Sequence, residues 1–453
     1  MMIVPLPHFA QKPICTFEVE YSKAEKVTGT KFDDYLFIKT EAQSSTYFYM
    51  ISSLGNLVDS YKTLGDITLL GSTVSETEIR FYFTLPKTKD IHSIFFSRER
   101  KRFERYKKIA NDIDYTGVAY NEKDFHVLVF DKKNDNLILS KATGDSLSVI
   151  NKFAIEDKQL IKHFKKNQFS FISDGKEIYL DSARSQNKIY YQNQKILLIS
   201  DNWDSEEVAE TKIITLDLHN DSMNAKNILL PYDNKTGHNS FLYKDKLYVL
   251  GIERIIVGLN VYDFPSLNKI AEHRYLKGQP IQFKVSDLIE NGKNWDKEWR
   301  GKWSDKVIAE QTLRILNKGV PVISVSKADS INDRLLIGRS VLPDKKNIFN
   351  TAMAPLPGGG YAQVGNGGRA IFGNNAPLPV DDASFYGYLN RMDFSVPSSI
   401  DYKEHGSFYQ ADRRINKISR EVTVGGSGVI SSPDGGYLIY LNKKTKSIVL
   451  EKF

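Results

Sequence analysis

One pattern recurs along the chain: an apolar run, a short polar turn containing Asp, Asn or Gly, and then a second apolar run. The runs are rich in β-branched and aromatic residues, which suit the pleated, half-buried surface of a strand. Gly, Asn and Asp tolerate the backbone angles of tight turns, so each copy of the pattern predicts a β-hairpin. The copies include VAYNEKDFHVLVF (118–130), SFISDGKEIYL (170–180), IYYQNQKILLIS (189–200), SFLYKDKLYVLG (240–251) and VISSPDGGYLIYL (429–441).

Most of these hairpins are followed by a second pair of strands, so units of four antiparallel strands recur at intervals of roughly 40–60 residues. Such a repeat is typical of a β-propeller, whose blades are four-stranded sheets. The sequence therefore predicts an all-β propeller of about seven blades, within a range of about six to eight. One domain is expected over residues 15–453, after an N-terminal segment 1–14. The candidate blades lie near residues 35–64, 66–110, 114–153, 168–230, 238–277, 311–345 and 350–453, and the last span is long enough for more than one unit.

Closure of the ring is expected to use both ends of the chain, because an open ring would leave exposed strand edges. CTFEVEYSK (15–23) has the pattern of a strand, and so does KSIVLEKF (446–453). We expect the first segment to pair beside the second.

The phrase Ser432-Pro433-Asp434-Gly435-Gly436 precedes a strand-like run. It resembles the strand–turn–strand motif of TolB and WD40-like propellers. A less complete match to the same motif occurs at Ser173-Asp174-Gly175. Ser432, Asp434 and Gly436 also fit the core of the Asp box of sialidase-type propellers, although the aromatic residue that closes the box is missing. Both resemblances imply a propeller fold, and neither identifies a specific family or a ligand.

Composition limits the classes of function. Hydrophobic residues make up 41% of the chain and charged residues 26%, which predicts an ordered globular protein. The net charge of +7 is spread along the chain, and the densest basic run (97–108) is interrupted by Glu99 and Glu104. We therefore expect no nucleic-acid partner. A nucleic-acid binder, which would need these basic residues to converge on one face, is the weakest alternative. The single cysteine, Cys15, excludes an intramolecular disulfide.

A helical insertion is predicted at about residues 281–318, with Ser286 as the cap and Gly319 as the stop. Trp295, Trp299 and Trp303 recur at helical spacing and would share one face. They are candidate ligand-binding residues for a partner protein, a sugar ring or a membrane interface. The alternative is that the helices cover a blade edge and bury the tryptophans there.

A Gly/Pro-rich loop is predicted at about residues 353–394. Its glycines lack the Lys and Ser/Thr of a phosphate-binding loop, so no nucleotide site is expected. Loops on a rigid scaffold often carry recognition, and the structural alternative is a connection packed by its own aromatics. The candidate ligand-binding residues in this segment are Asp381, Asp382, Tyr386, Tyr388, Asn390 and Arg391.

Catalytic and metal motifs are weak. The eight histidines show no metal-ligand spacing, and the chain contains no Gly-x-Ser-x-Gly elbow. DNWDSEE (201–207) and YDNKTGHN (232–239) hold many oxygen ligands but lack the order of a calcium loop. We therefore expect no cofactor and no metal site, and we leave the catalytic residues unassigned.

The first residues, MMIVPLPHFAQK, resemble the end of a secretory signal with cleavage after Ala10. The segment lacks a basic start and is broken by prolines, so the alternative is an ordinary N-terminal arm of a cytoplasmic protein. We favour export to the periplasm, the cell surface or the medium, and no transmembrane segment is expected.

These observations favour a non-enzymatic, exported β-propeller that binds a protein or a glycan as a scaffold or recognition module. The alternative is a carbohydrate-active hydrolase or lyase with carboxylates in its central channel, because such carboxylates come from different blades and leave no local motif. We expect the protein to be a monomer.

Overall fold

The architecture comes from a computed structural model of the protein. It describes residues 13–85, 88–172, 183–201, 208–233, 237–290, 293–341, 353–355, 361–363, 381–397, 418, 422–432 and 435–452. The described residues divide into two compact units. The first comprises those up to Ile113 together with those from 418 onwards, and the second comprises those within 114–397.

The first unit consists of three four-stranded antiparallel sheets in the described residues, with strand orders β2-β3-β4-β5, β6-β7-β8-β9 and β1-β32-β31-β30. Its strands are β1 Cys15–Glu18, β2 Lys26–Lys31, β3 Tyr35–Ala42, β4 Ser45–Ser52, β5 Leu57–Leu64, β6 Thr68–Val74, β7 Glu78–Thr84, β8 Ile91–Ser97, β9 Arg102–Ala110, β30 Val424–Ser432, β31 Gly435–Asn442 and β32 Ser447–Lys452. Gln43 and Ser44, between β3 and β4, both have positive φ, as a tight hairpin turn requires. Buried residues of two neighbouring sheets, such as Ile38 and Ile439, belong to one core cluster.

The sheet that contains β30 is completed by the strand from the beginning of the chain. Cys15 pairs with Leu450 and Glu18 with Ser447 in an antiparallel ladder. The predicted pairing of segment 15–23 with the C-terminal strand is confirmed. The predicted Ser-Pro-Asp-Gly turn lies between β30 and β31, and Pro433 and Asp434 lie outside the described residues, as does Ser173-Asp174-Gly175.

The second unit contains four larger sheets in the described residues, with orders β10-β11-β12-β13, β14-β15-β16-β17-β18, β19-β20-β21-β22 and β24-β23-β29-β26-β25, and a small β27-β28 hairpin. Its strands are β10 Tyr115–Tyr120, β11 Phe125–Asp131, β12 Asn136–Thr143, β13 Ser146–Ala154, β14 Ser170–Phe171, β15 Asn187–Gln192, β16 Lys195–Ser200, β17 Val208–Asp217, β18 Ser222–Asp233, β19 Gly237–Tyr243, β20 Lys246–Ile252, β21 Ile256–Asp263, β22 Lys269–Leu276, β23 Ile289–Glu290, β24 Lys293–Asn294, β25 Val320–Lys327, β26 Asn332–Val341, β27 Met353–Pro355, β28 Tyr361–Gln363 and β29 Asp381–Asn390. Its helices are α1 Lys158–Lys166, α2 Trp295–Trp299 and α3 Asp305–Leu316.

Helix α1 was not predicted from the sequence. The Asp157 side chain caps it by accepting hydrogen bonds from the backbone N–H groups of Gln159 and Leu160. Leu160 and Phe164 are buried in a core cluster that also holds strand residues of two sheets. The helix therefore covers apolar surface that two blades share.

The four-stranded repeat confirms the all-β propeller fold. The described residues hold three blade-type sheets in the first unit and four in the second, which agrees with the predicted blade number. The sheet boundaries fall close to the predicted blades, except that the sixth blade takes β23 and β24 from within the predicted insertion and β29 from segment 381–390.

Two predicted boundaries need correction. Residues 381–390 were expected in a Gly/Pro-rich loop, but they form β29, because Ala383, Phe385 and Leu389 are apolar and buried between neighbouring strands. The helical insertion is helical only over α2 and α3. Ser286 is not a helix cap, and Asn294 and Ser304 occupy those positions instead.

Candidate functional site

The insertion supplies the outer edge of its own blade. The Tyr388 N–H donates to the Phe283 carbonyl at 3.2 Å, and the Val285 N–H donates to the Tyr386 carbonyl at 2.9 Å. The Ser286 hydroxyl accepts a hydrogen bond from the Tyr386 N–H at 2.7 Å. The short strand β23 then pairs with β29 further along. Segment 283–290 therefore takes the place of a fourth strand and fixes the start of the insertion to the sheet.

The three tryptophans of the insertion form a continuous stack. The ring centroids of Trp295 and Trp299 are 5.2 Å apart, and those of Trp299 and Trp303 are 5.4 Å apart. The interplanar angles are 26° and 21°. The helical spacing thus places all three indoles on one side, although α2 ends at Trp299 and Trp303 follows in a turn.

One end of the stack is anchored to the sheet. The Trp295 Nε1–H donates to Glu290 Oε2 at 2.7 Å. Glu290 also accepts a hydrogen bond at 2.5 Å from the guanidinium of Arg339, whose side chain is fully buried. The Lys293 ammonium lies 3.6 Å from the centroid of the Trp295 ring, as in a cation–π contact. This end is closed by protein groups.

The turns around α2 are held by polar contacts. Asn294 caps the helix by accepting from the Lys297 N–H at 2.8 Å, and its amide donates to Asp287 at 2.8 Å. Arg300 forms an ion pair with the other oxygen of Asp287 at 2.8 Å. Asp296 is buried beside the Lys284 ammonium. These contacts hold the stack in place.

The other end of the stack is open. Trp299 is only 6% exposed, whereas Trp303 is 44% exposed. Gly301 has a φ of +79°, which a side chain rarely adopts, and a Cβ added there would meet no atom within 4 Å. The exposed turn 300–306 therefore presents an indole surface to solvent.

The candidate residues of the other predicted set lie elsewhere in the same blade. Asp381 and Asp382 begin β29, while Tyr386 and Tyr388 are buried, at 8% and 5% exposure. The side-chain carbonyl oxygen of Asn390 accepts a hydrogen bond from the Met392 N–H at 2.8 Å.

Arg391 follows the end of β29 and clamps the turn between β25 and β26. Its Nε donates to Asp333 Oδ1 at 2.8 Å, and its terminal nitrogens donate to the carbonyls of Ser330, Asp329 and Asn332. The Tyr248 hydroxyl donates to the other oxygen of Asp333 at 3.1 Å, and burial raises the pKa of Tyr248.

The two predicted sets meet only in part. Glu290, the anchor of the tryptophan stack, pairs with Ala383, the residue after Asp382 at the start of β29, whereas Asn390 and Arg391 lie at the opposite end of that strand. The candidate site is therefore the open end of the tryptophan stack, which we define as Trp295, Trp299 and Trp303.

Lys188 is a buried lysine that no sequence pattern predicted. The Lys188 ammonium donates to Asn239 Oδ1 at 2.9 Å and lies 3.5 Å from Asp201. Burial lowers the pKa of Lys188 to about 8. Asp201 also accepts from Thr211 and Ser240, so this residue of the oxygen-rich segment 201–207 has a structural role. Residues 202–207 lie outside the described residues.

Two open grooves occur in the described part of the second unit. The first groove has a volume of about 450 Å³, runs beside β22 and is lined by residues that include His273 and Tyr275. Burial lowers the pKa of His273. The other, of about 430 Å³, includes Asp217, whose pKa is lowered to about 2, mainly by the hydrogen bond from the Asn220 backbone. A carboxyl group of this kind stays ionised and does not suit a general acid, which needs a raised pKa.

Within the described ranges, no three His, Cys, Asp or Glu side chains lie close enough together to hold a metal ion. None of the helices in the described part of the chain is long and apolar enough to cross a bilayer.

No protein-family model and no curated protein matches the chain. Several solved structures are similar over almost the whole length. They include a member of the DUF4221 family from Bacteroides vulgatus, with 12% identity, a TM-score of 0.35, and coverage of 98% of this chain and 99% of that chain. BamB from Moraxella catarrhalis has 7% identity, a TM-score of 0.32, and coverage of 98% and 100%. Hydrazine synthase from Kuenenia stuttgartiensis has 10% identity, a TM-score of 0.37, and coverage of 96% and 97%. At these values the similarities assign neither a family nor an activity.

Proposed function

We propose that the protein is a non-catalytic recognition module that binds a ligand or partner at the open end of the tryptophan stack. The observation that carries the proposal is the position of Trp303, which is 44% exposed yet stacked at 5.4 Å on the buried Trp299. We further propose that the protein acts outside the cytoplasm, as its first residues suggest.

The anchoring of the stack supports this role. A large exposed aromatic side chain that is free to rotate loses conformational entropy when it binds. Trp303 has already lost part of that freedom, because Trp299 holds one face of its ring. Glu290 and Arg339 in turn tie the stack to the sheet. A rigid aromatic surface on a rigid scaffold binds with a smaller entropic cost.

The experiment is a binding screen on immobilised oligosaccharides and peptides with wild-type protein and two variants. Trp303→Ala is expected to lose retention of the ligands that the wild type retains. Met392→Ala, which removes a side chain 86% exposed elsewhere in the same blade, is the matched control and should keep retention. Equal retention by all three proteins would contradict the assignment of the site.

A further inference from the structure

The open face of Trp303 has the geometry of a single flat platform. At the opposite end of the stack, Lys293 already covers Trp295. Among described residues 293–318, Trp303 is the one large apolar side chain that is exposed. A standard protein interface covers about 800 Å² per partner around a cluster of apolar residues. An isolated indole instead suits a small, flat, ring-shaped group.

The charges around this platform are mainly positive. In segment 297–306, which joins the end of α2 to the start of α3, Glu298 is paired with Lys293 at 3.0 Å, and Arg300 is paired with Asp287. Exposed Lys297, Lys302 and Lys306 have no ion pair within the described residues, and the remaining exposed acid of the segment is Asp305 at the start of α3. The half-buried Glu310 lies near the Lys306 side chain beside Gly278, so Lys297 and Lys302 are the lysines of the segment for which the described residues supply no partner acid. Helix N-termini favour such an acid, so Asp305 has a local structural role.

A ligand at Trp303 would therefore meet an aromatic face in an exposed segment whose charges without an ion pair are mainly ammonium groups. The C–H groups on one side of a pyranose chair form a nearly flat apolar patch that packs well on an indole, and water is released from both surfaces. Carboxylate or sulfate groups at the edge of the ring would then lie among the lysines, where opposite charges attract.

We propose that the open end of the tryptophan stack binds an acidic saccharide, with a sugar ring on Trp303 and its anionic groups beside Lys302 and its neighbours. This inference rests on the proposed recognition function and specifies the chemical class of its ligand. An acidic peptide is the main competing ligand, since it shares the charge but lacks the pyranose face.

The test is calorimetric titration of the full chain with three probes. These are an oligogalacturonate with free carboxylates, the same oligomer with its carboxylates methyl-esterified, and a poly-glutamate peptide of similar charge. We expect the free oligogalacturonate to bind most tightly and its affinity to fall as salt is raised, because the lysine contacts are screened. Esterification keeps the ring face and removes the charge, so it should weaken binding by about tenfold.

Two variants assign the contacts. Trp303→Ala should weaken binding of the acidic oligomer by about tenfold or more, since it removes the apolar platform. Lys302→Glu should weaken it by about threefold to tenfold, whereas Lys123→Glu, an exposed charge reversal in another blade, should leave it unchanged.

The outcomes separate the two proposals. Equal affinity for the free and esterified oligomers, or no effect of Trp303→Ala, would overturn the acidic-saccharide inference. Tight binding of the peptide through Trp303 without binding of the saccharides would also overturn it, while recognition at the stack would stand. Binding that none of the variants alters would remove both the inference and the proposed site.

Discussion

Trp299 lies between two other indole rings, and its loss should be costly. It is 6% exposed and stacks on both Trp295 and Trp303. Trp299→Ala leaves a cavity and should lower the free energy of unfolding by about 3–5 kcal/mol. Trp303→Ala is the matched control. It should lower the free energy of unfolding by about 1 kcal/mol, because the Trp303 ring is half-exposed and stacks on Trp299 alone. Urea denaturation followed by circular dichroism measures both, and equal losses would contradict the described stack.

His126 predicts a dependence of stability on pH. The ring is buried against Tyr191, with Asp124 and Lys141 as the charged groups nearby, and burial lowers its pKa to about 4. Between about pH 4 and pH 6.5, His126 is therefore neutral in the folded state, whereas it is protonated in the unfolded state, where its pKa is about 6.5. Stability contributed by neutral His126 is present above that pH and should be lost as the pH falls from about 6.5 to about 4, by roughly 3 kcal/mol.

The pH effect is measured by thermal unfolding across this window. His126→Phe keeps a ring beside Tyr191 and removes the titrating group, so the decline towards acid should become shallower. His219→Gln, in an exposed turn, is the control and should follow the wild type. If His126→Phe showed the same loss of thermal stability towards acid as the wild type, His126 would not be the group responsible for that loss.

Sequence spacing predicted how the three tryptophans of the candidate site are placed relative to one another. The recurrence of Trp295, Trp299 and Trp303 at helical intervals was sufficient to place them on one face, and the structure shows them stacked. The partner Glu290 and the buried Arg339 could not be predicted, because they are 49 positions apart and meet only through the strand pairing of β23, β29 and β26. Arg391 stood in a polar, aromatic segment, but its contacts with Asp333 and with the carbonyls of turn 329–332 depend on the tertiary fold.

The strand β1 offers a direct test of sheet completion, because it carries the one cysteine of the sequence. Cys15 is 6% exposed, and burial raises the pKa of its thiol. Reaction with a thiol reagent should therefore be slow in the native protein and limited by detachment of β1. Phe17→Pro removes the backbone N–H of residue 17, and it also removes a ring whose centroid lies 5.0 Å from that of Tyr49. Labelling of Cys15 should therefore accelerate by about tenfold or more.

Glu20→Gly, an exposed change beyond the end of β1, is the control for this experiment and should label at the wild-type rate. Rapid labelling of the native wild type, at the rate seen in urea, would show that β1 is not held against β32.

Most elements could be predicted, and the exceptions have physical causes. The hairpins follow from alternation and turn residues that act locally. Helix α1 carried a local signal that could have found it, since Asp157 precedes Leu160 and Phe164 at helical spacing. The outer edge supplied by segment 283–290 carried none, because its hydrogen bonds to β29 join residues about one hundred positions apart, as Ser286 and Tyr386 are.

At the level of the whole molecule, the proposed export predicts the mature N-terminus. If the first residues act as a secretory signal cleaved after Ala10, the protein recovered from outside the cytoplasm should begin at Gln11. Intact-mass measurement of protein from fractionated native cells, with sequencing of its first peptide, checks this. A cytosolic protein that retains Met1 or Met2 would contradict export and would favour an intracellular partner.

The proposed recognition involves no turnover of the ligand, so the mass of the ligand recovered after binding is the decisive measurement. The protein is incubated with acidic and neutral oligosaccharides and with peptides, and each ligand is recovered and weighed by mass spectrometry. We predict that ligands retained through Trp303 are released with unchanged mass. Shortened oligosaccharides would show hydrolysis, and fragments with unsaturated ends would show lyase chemistry. Either result would contradict non-catalytic recognition and make the protein a carbohydrate-active enzyme.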